Sequence, residues 1–432
     1  MRNPPGGKSA PRSILRQKPQ NQVLGLLFAS FGRKTIGEII MKFRATLLDT
    51  LVCLIAIASF ARASAAKTLL VDVNRVACPT AAYTSIQAAV TAASSGDTIR
   101  ICPGVYVEQV SIDKSLTLSA ENGAILMPSS VQSNSTSLYD GSPLAVALLV
   151  TNTTGVTISG LIVDGTNNAI SECAPDLFGI AFQNASGTIA HSTVRNFKLT
   201  AALNGCQTGT GILVQSGGGQ TSTVTIATSS IHDFQKNGIT ADEVGTSVVI
   251  NSNTVTGVGP TTGAAQNGIQ IGYGATGSIT NNTVTNNVWS PCIAVATCTA
   301  FATNILVYQS DGITLTNNVV SVSQVGIFVA ANQATLTGNR SSANSVFDGI
   351  HFEGNSNSVH SSTVVNSSES GIYVDGNSNT IQNNTIIEAG VGILVTTGST
   401  GFLISGNSIF DCPTTIQDPK VRNIAQLLKP QR

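Results

Sequence analysis

HFEGNSNSVHSSTVV (residues 351–365) and YVDGNSNTIQNNTII (residues 373–387) match almost position for position at a distance of 22 residues. The chain is therefore a repeat protein, and the period selects its architecture. A Gly-Ile step opens the repeat at Gly326-Ile327, Gly349-Ile350, Gly371-Ile372 and Gly392-Ile393, with earlier starts at Gly179, Gly211, Gly238 and Gly268. A polar step before a β-branched pair recurs at Asn318, Asn339, Ser362, Asn384 and Asn407, at spacings of 21, 23, 22 and 23. Such a period also suits a leucine-rich repeat, but the leucine framework is missing. Each repeat instead holds three short alternating stretches, as in Ile372–Val374, Thr380–Ile381 and Thr385–Ile387. Alternation of β-branched residues marks strands, and the Gly, Asn and Ser between them mark turns. Three strands per turn of about 22 residues describe one rung of a parallel β-helix. A rung cannot bury its apolar face alone, so stacking is obligatory.

The composition agrees. Of 432 residues, 10% are charged and 42% apolar, with 22 basic against 22 acidic side chains. Disordered chains carry more charge, coiled coils more Glu, Lys and Leu, and nucleic-acid binders a basic excess. The balance is uneven along the chain. The first 65 residues hold ten of the basic residues and two of the acidic ones, leaving twelve against twenty, a net of −8. That surface is not drawn to nucleic acid or to anionic membranes.

Residues 41–65 read as a secretory signal peptide. Lys42 and Arg44 supply the positive start, Thr50–Phe60 the apolar stretch, and Ala63-Ser64-Ala65 the small-residue cleavage pattern. The apolar run is short for a transmembrane span, so no membrane span is expected after its removal. Residues 1–40 fit neither a signal nor a folded domain, which places the expected start of translation at Met41. An exported location follows: periplasmic, secreted or cell-surface. The expected layout continues with a cap over 66–104, the β-helix over 105–412 and a tail or second cap over 413–432. In the first cap, Thr84 or Ser85 opens a helix with Ile86, Ala89, Val90 and Ala93 on one face. Val421–Leu428 is the candidate for the second. Eleven to twelve rungs at about 4.8 Å give a solenoid on the order of 50–55 Å long.

The stretch IQAAVTAASSGDTIRICPGVYVEQVSIDKSLTL (residues 86–118) resembles the N-terminal cap of right-handed parallel β-helix proteins of the pectin-lyase-like superfamily, and the later rungs resemble that group's generic repeats. The resemblance implies an all-β, right-handed parallel β-helix with an N-terminal capping helix. It does not imply one reaction, because members include lyases, hydrolases, esterases, epimerases, tailspikes and accessory proteins. The Asn-Thr-Asp and Gly-His-Gly steps of polygalacturonases, the Asp-Pro-His-Asp of alginate epimerases and the basic residue among calcium-binding aspartates of pectate lyases are missing, so no catalytic residue carries over. No cofactor is expected, and calcium has no motif to support it.

Seven cysteines follow the signal. Cys78 and Cys102 flank the cap. Cys173 and Cys206 precede Gly179 and Gly211 by six and five residues, which puts them in the same turn of adjacent rungs. Cys292 and Cys298 close a small loop, and Cys412 is left over. Metal binding is the alternative, but CxxC pairs and His clusters are lacking.

Alternation also predicts which side chains leave the core. One outward row reads Ala181, Leu213, Thr240, Gln270, Leu306, Phe328, His351, Tyr373 and Leu394. The next includes Asp242, Tyr308, Glu353 and Asp375. Insertions at 165–178 and 287–303 would wall this face. Glu353 and Asp375 fall at equivalent positions of successive rungs, where close carboxylates raise each other's proton affinity and suit acid/base work. The expected catalytic residues are Glu353, Asp375 and His351. The expected substrate-binding residues are Phe328, Tyr373, Tyr308 and Asp242. Asp348 and Glu369 read as turn residues. Two functions remain: a polysaccharide-processing protein (lyase, hydrolase or epimerase), or a non-catalytic surface, adhesion or structural β-helix. A minor third reading is an accessory role in metal maturation. Oligomeric state is not legible.

Overall fold

Backbone pairing sorts the strands into three parallel ladders that wind together as a right-handed solenoid. The computed structural model describes residues 65–418; residues 41–64 of the expected signal peptide, the expected upstream extension at 1–40 and the expected C-terminal cap at Val421–Leu428 lie outside them. One ladder forms a sheet of thirteen strands, of which the first two, Thr68–Val71 and Thr98–Ile101, belong to the cap. The remaining eleven agree with the rung number expected from the repeat. The other two ladders merge in one 23-stranded sheet, because strands such as Thr363–Asp375 run through the corner between them.

The inward side of each ladder is a column of equivalent residues. Ile279, Leu315, Leu336, Val359 and Ile381 stack in register along the first. Ile269, Ile305, Ile327, Ile350, Ile372 and Ile393 do so along the third. All are fully buried. A strand buried on its inner face and paired on both edges needs a stacked neighbour above and below, so each rung stabilises the next.

The turn asparagines form the expected ladder. Asn253, Asn282 and Asn318 each donate from Nδ2 to Oδ1 of the next member at 2.9–3.0 Å (Asn253→Asn282→Asn318→Asn339), and Asn384 does so to Asn407 at 3.0 Å. Each also donates to a main-chain carbonyl of a neighbouring rung, as Asn318 does to Ile279 at 2.8 Å. Ser362 interrupts the series, accepting from the Asn339 N–H and donating its own N–H to Asn384 Oδ1.

The cap helix is Ile86–Ala92, with Ser85 as N-cap accepting from Ala88 N. Ile86, Ala89, Val90 and Ala93 are buried over the first rung, which covers the open sheet edge. The next rung adds a second cap: the Glu108 carboxylate accepts from Ser85 Oγ and from the Ile86 and Gln87 N–H groups at 2.7–2.9 Å. All three expected disulfides are present, Cys78–Cys102, Cys173–Cys206 and Cys292–Cys298, and Cys412 is free.

Candidate functional site

The outward rows run as alternation predicts. Leu213, Thr240, Gln270, Leu306, Phe328, His351 and Tyr373 are successive register partners on the third ladder. So are Gln215, Asp242, Gly272 and Tyr308 in the neighbouring row. Differences from expectation come from what covers this face.

A cleft of about 550 Å³ lies over Leu213, Thr240, Gln270 and Leu306, several rungs before the position expected for a groove. Its walls are non-repeating segments. One is a flap: Ser133–Thr136 pairs antiparallel with the start of Pro143–Thr151, and the turn between them carries Tyr139 and Asp140. The flap is pinned to the strand face by outward glutamines. Ser135 Oγ donates to Gln183 Oε1, Gln183 Nε2 to the Thr136 carbonyl at 2.9 Å, and the Leu138 N–H to Gln215 Oε1 at 2.9 Å. The opposite wall carries Asp176, which opens the strand Asp176–Gln183, and Gln207, each just after a cysteine of the Cys173–Cys206 bridge.

Asp242 lies in the cleft. Its carboxylate accepts from the Gln270 amide, at 3.3 and 3.5 Å. Gln270 Oε1 accepts from Asn237 and Asn267, which orients its NH2 group toward Asp242. Gly272 makes the room: a Cβ there would stand 2.8 Å from Asp242 Oδ1. Loss of water raises the Asp242 pKa to about 7; the Gln270 hydrogen bond opposes this and Glu243 adds to it. Burial also raises Asp176, against a hydrogen bond from Thr208. Asp140 moves the other way: the Ser142 N–H and the hydroxyls of Ser137 and Ser142 hold it below the usual carboxylate range. Tyr139 stacks on Tyr273 at 6.4 Å, and Tyr273 meets Tyr308 edge-on at 5.5 Å. The cleft thus holds a carboxyl that titrates near neutrality, a carboxyl kept ionised, three tyrosines and a set of Asn and Gln amides.

Of the residues expected at the site, Asp242 and Tyr308 line this cleft and the rest do not. Phe328 is only 9% exposed, because Phe301 packs on its ring at 5.6 Å. His351 lies beyond it, edge-on to Phe328 at 4.6 Å and stacked on Tyr373 at 4.1 Å. Glu353 and Asp375 are register partners, as predicted. Their side chains find other partners: Glu353 meets His351 Nε2 at 3.3 Å, and Asp375 accepts from Thr396 Oγ1 at 2.8 Å. The hydrogen bond from His351 pulls the Glu353 pKa down, opposite to the expected mutual rise.

Asp348 is the residue most at odds with its sequence reading. It is fully buried, accepts from the Ser370 N–H and hydroxyl, and binds His351 Nδ1 at 2.7 Å. Burial lowers the His351 pKa, but the hydrogen bonds from Asp348 and Glu353 outweigh it and the net shift is upward. A histidine raised in the folded state contributes stability that is full below its unfolded value and is lost as pH rises through the folded one. Titration of the His351 ring by NMR should give a midpoint above the usual 6.5. Asp348→Asn should bring it below that value, and Glu353→Gln should shift it less.

With this geometry in hand, the chain is a right-handed parallel β-helix protein. Within that class, residues 220–422 match the family described as periplasmic copper-binding protein (NosD). Among solved structures, the chain is similar to the lacto-N-biosidase of glycoside hydrolase family 136 from Eubacterium ramulus, at 12% identity and a TM-score of 0.56, over 81% of this chain and 68% of that one. It is also similar to XylC in complex with xylose, at 10% identity and a TM-score of 0.50, over 82% of this chain and 87% of that one. These identities establish the fold alone. No curated protein matches the chain in sequence.

The flap and the depth of Asp242 escape the sequence reading, but each left a signal. Asp140-Gly141 is a turn step of the kind that closes hairpins. LAVALLV (residues 144–150) is apolar on both faces, which means that something covers its outer side.

Proposed function

We propose that this is an exported glycan-processing protein that cleaves an uncharged glycosidic chain in the cleft, with Asp242 as general acid. The observation that carries this reading is the pairing in one cleft of a carboxyl raised to about 7 with one held ionised. In the proposed step the Asp242 proton passes to the glycosidic oxygen as the bond to the anomeric carbon breaks. Asp140 accepts a proton from the water that adds hydroxide to that carbon. Solvent then returns the proton from Asp140 to Asp242. Tyr139, Tyr273 and Tyr308 offer rings, and Asn237, Asn267 and Gln270 offer amides, to sugar faces and hydroxyls.

The cleft disfavours acidic sugars. Asp140, Asp176, Asp242 and Glu243 line it, against Lys236 as the one cation among the described lining residues. The Lys236 ammonium is engaged with the Ala265 carbonyl at 2.8 Å, and burial lowers its pKa. A uronate would meet like charge.

The copper named in the description of the matching family does not fit these residues. Copper favours Cys, Met and His donors. Among the described residues, the one group of three candidate ligands within reach of a common ion is Cys78, Cys102 and Glu121, and both sulfurs are joined in the disulfide. The catalytic roles expected for Glu353, Asp375 and His351 are retained as a proposal for a second, smaller acid/base site. Unchanged activity in Glu353→Gln and Asp375→Asn would refute it.

The test is a panel of uncharged and uronate-bearing glycans assayed for new reducing ends, unsaturated products and epimerised residues. New reducing ends from uncharged chains are expected. Activity confined to uronates would overturn the reading. Binding without turnover would instead support a non-catalytic adhesion or structural protein.

A further inference from the structure

The strand face that carries the cleft is closed at both ends. On the N-terminal side, the outward residues Leu149, Ala181 and Leu213 form a separate apolar cluster with Leu144 and Val146, with Phe178 packed on it. Side chains that leave the core of a solenoid are normally solvated, yet none of these five is more than 5% exposed. The flap lies at this end, hydrogen-bonded to Gln183 and Gln215. Its residue Leu138 packs so close to Gly217 that a Cβ there would stand 2.8 Å from the Leu138 Cβ.

On the C-terminal side, Phe328 is the next outward residue after Leu306 and is 9% exposed. Phe301 covers it, and Phe347 packs on Phe301 at 5.2 Å. Phe301 follows the loop closed by Cys292–Cys298. The floor of the cleft therefore runs from Leu213 to Leu306, three rung steps or about 14 Å. Across the solenoid, the loops stapled by Cys173–Cys206 stand on one side, and Tyr139 stacked on Tyr273 on the other. A polymer lying along the face would have to displace either the flap or the phenylalanine plug.

We infer that the cleft accepts the end of a glycan chain and releases a short saccharide from it, rather than cutting within a long chain. This rests on the glycan-cleaving reading above. The chemistry is the same hydrolysis; what the walls decide is which bond of a chain reaches Asp242. Phe301 and the flap are then specificity-determining elements, and neither supplies a proton or a nucleophile.

The experiment uses the full-length protein and the uncharged glycan that the panel identifies, in two forms: end-labelled linear oligosaccharides, and an insoluble cross-linked dyed polymer that releases colour only on internal cleavage. Release of one short product from chain ends should exceed internal cleavage by about tenfold or more. Phe301→Ala, which opens one end, should raise dye release relative to chain-end release. Internal cleavage by the unmodified protein at a comparable rate overturns the inference and leaves the glycan-cleaving reading standing. Where nothing is cleaved, that reading falls, and calorimetry with the same oligosaccharides decides the inference. Competition by free-ended chains but not by chains blocked at both ends supports it; equal competition, or no binding at all, overturns it.

Discussion

Asp242→Asn should lower turnover of the glycan by about a hundredfold to ten-thousandfold, the usual contribution of a positioned general acid. The amide keeps the size of the side chain but has no acidic proton to give to a leaving oxygen. Substrate binding should persist, so kcat falls further than KM rises. In the unmodified protein, kcat/KM should decline as pH rises through about 7, where Asp242 loses its proton. The variant should show no such decline. Stability supplies an independent check. The folded state holds the Asp242 proton more tightly than the unfolded chain, for which the ordinary value is 3.8. Stability is therefore lost as pH rises from about 4 to about 7. The substitution removes that loss, so thermal melting at pH 8 should favour the variant, while at pH 4 the two should be close. A variant with full activity, or one destabilised equally at both pH values, would rule out the proposed role.

The second large effect concerns the scaffold. Gly376→Ala should destabilise by about 3–5 kcal/mol, combining strain at a left-handed position with a backbone clash. Gly376 has φ of 128°, and a Cβ there would lie 2.1 Å from the Gly354 carbonyl oxygen of the preceding rung. Gly354 stands in the same relation to Ala331, at φ of 159° and 2.1 Å. Successive rungs stack so closely at this turn that only hydrogen fits between them. Because each rung contacts mainly its neighbours, the damage should stay local. Hydrogen exchange should show faster opening from about residue 350 onward, while the rungs under the cleft, residues 237–308, keep their protection. A melting curve that matches the unmodified protein would sink this account.

Most of the scaffold was legible because the fold repeats its instructions. The 22-residue match between His351 and Tyr373 states the rung length. The Gly-Ile steps state the register, which the pairing of Ile350 with Ile372 reproduces. The spacing of Cys173 and Cys206 before their glycines brings two loops together. The outward rows followed from alternation alone. The site was less legible, because its properties depend on segments that occur once. Asp242 appears in sequence as one more outward carboxyl; its depth comes from the walls around it and the space left by Gly272. Phe328 reads as a ring offered to a ligand until Phe301, 27 residues earlier, covers it. Asp348 looks like a turn residue, since nothing local shows that Ser370 on the next rung and His351 on its own strand will enclose it.

The Cys173–Cys206 bridge divides the molecule into two kinds of dependence. The stacked rungs are held by main-chain ladders, buried aliphatic columns and asparagine amides, none of which respond to redox conditions. The segments that lead into Asp176 and Gln207 are joined by sulfur, so the shape of that wall is conditional on an oxidising compartment. The rod and its recognition surface are thus assembled under different rules: a chain folded in reducing surroundings keeps the means to build the first without fixing the second.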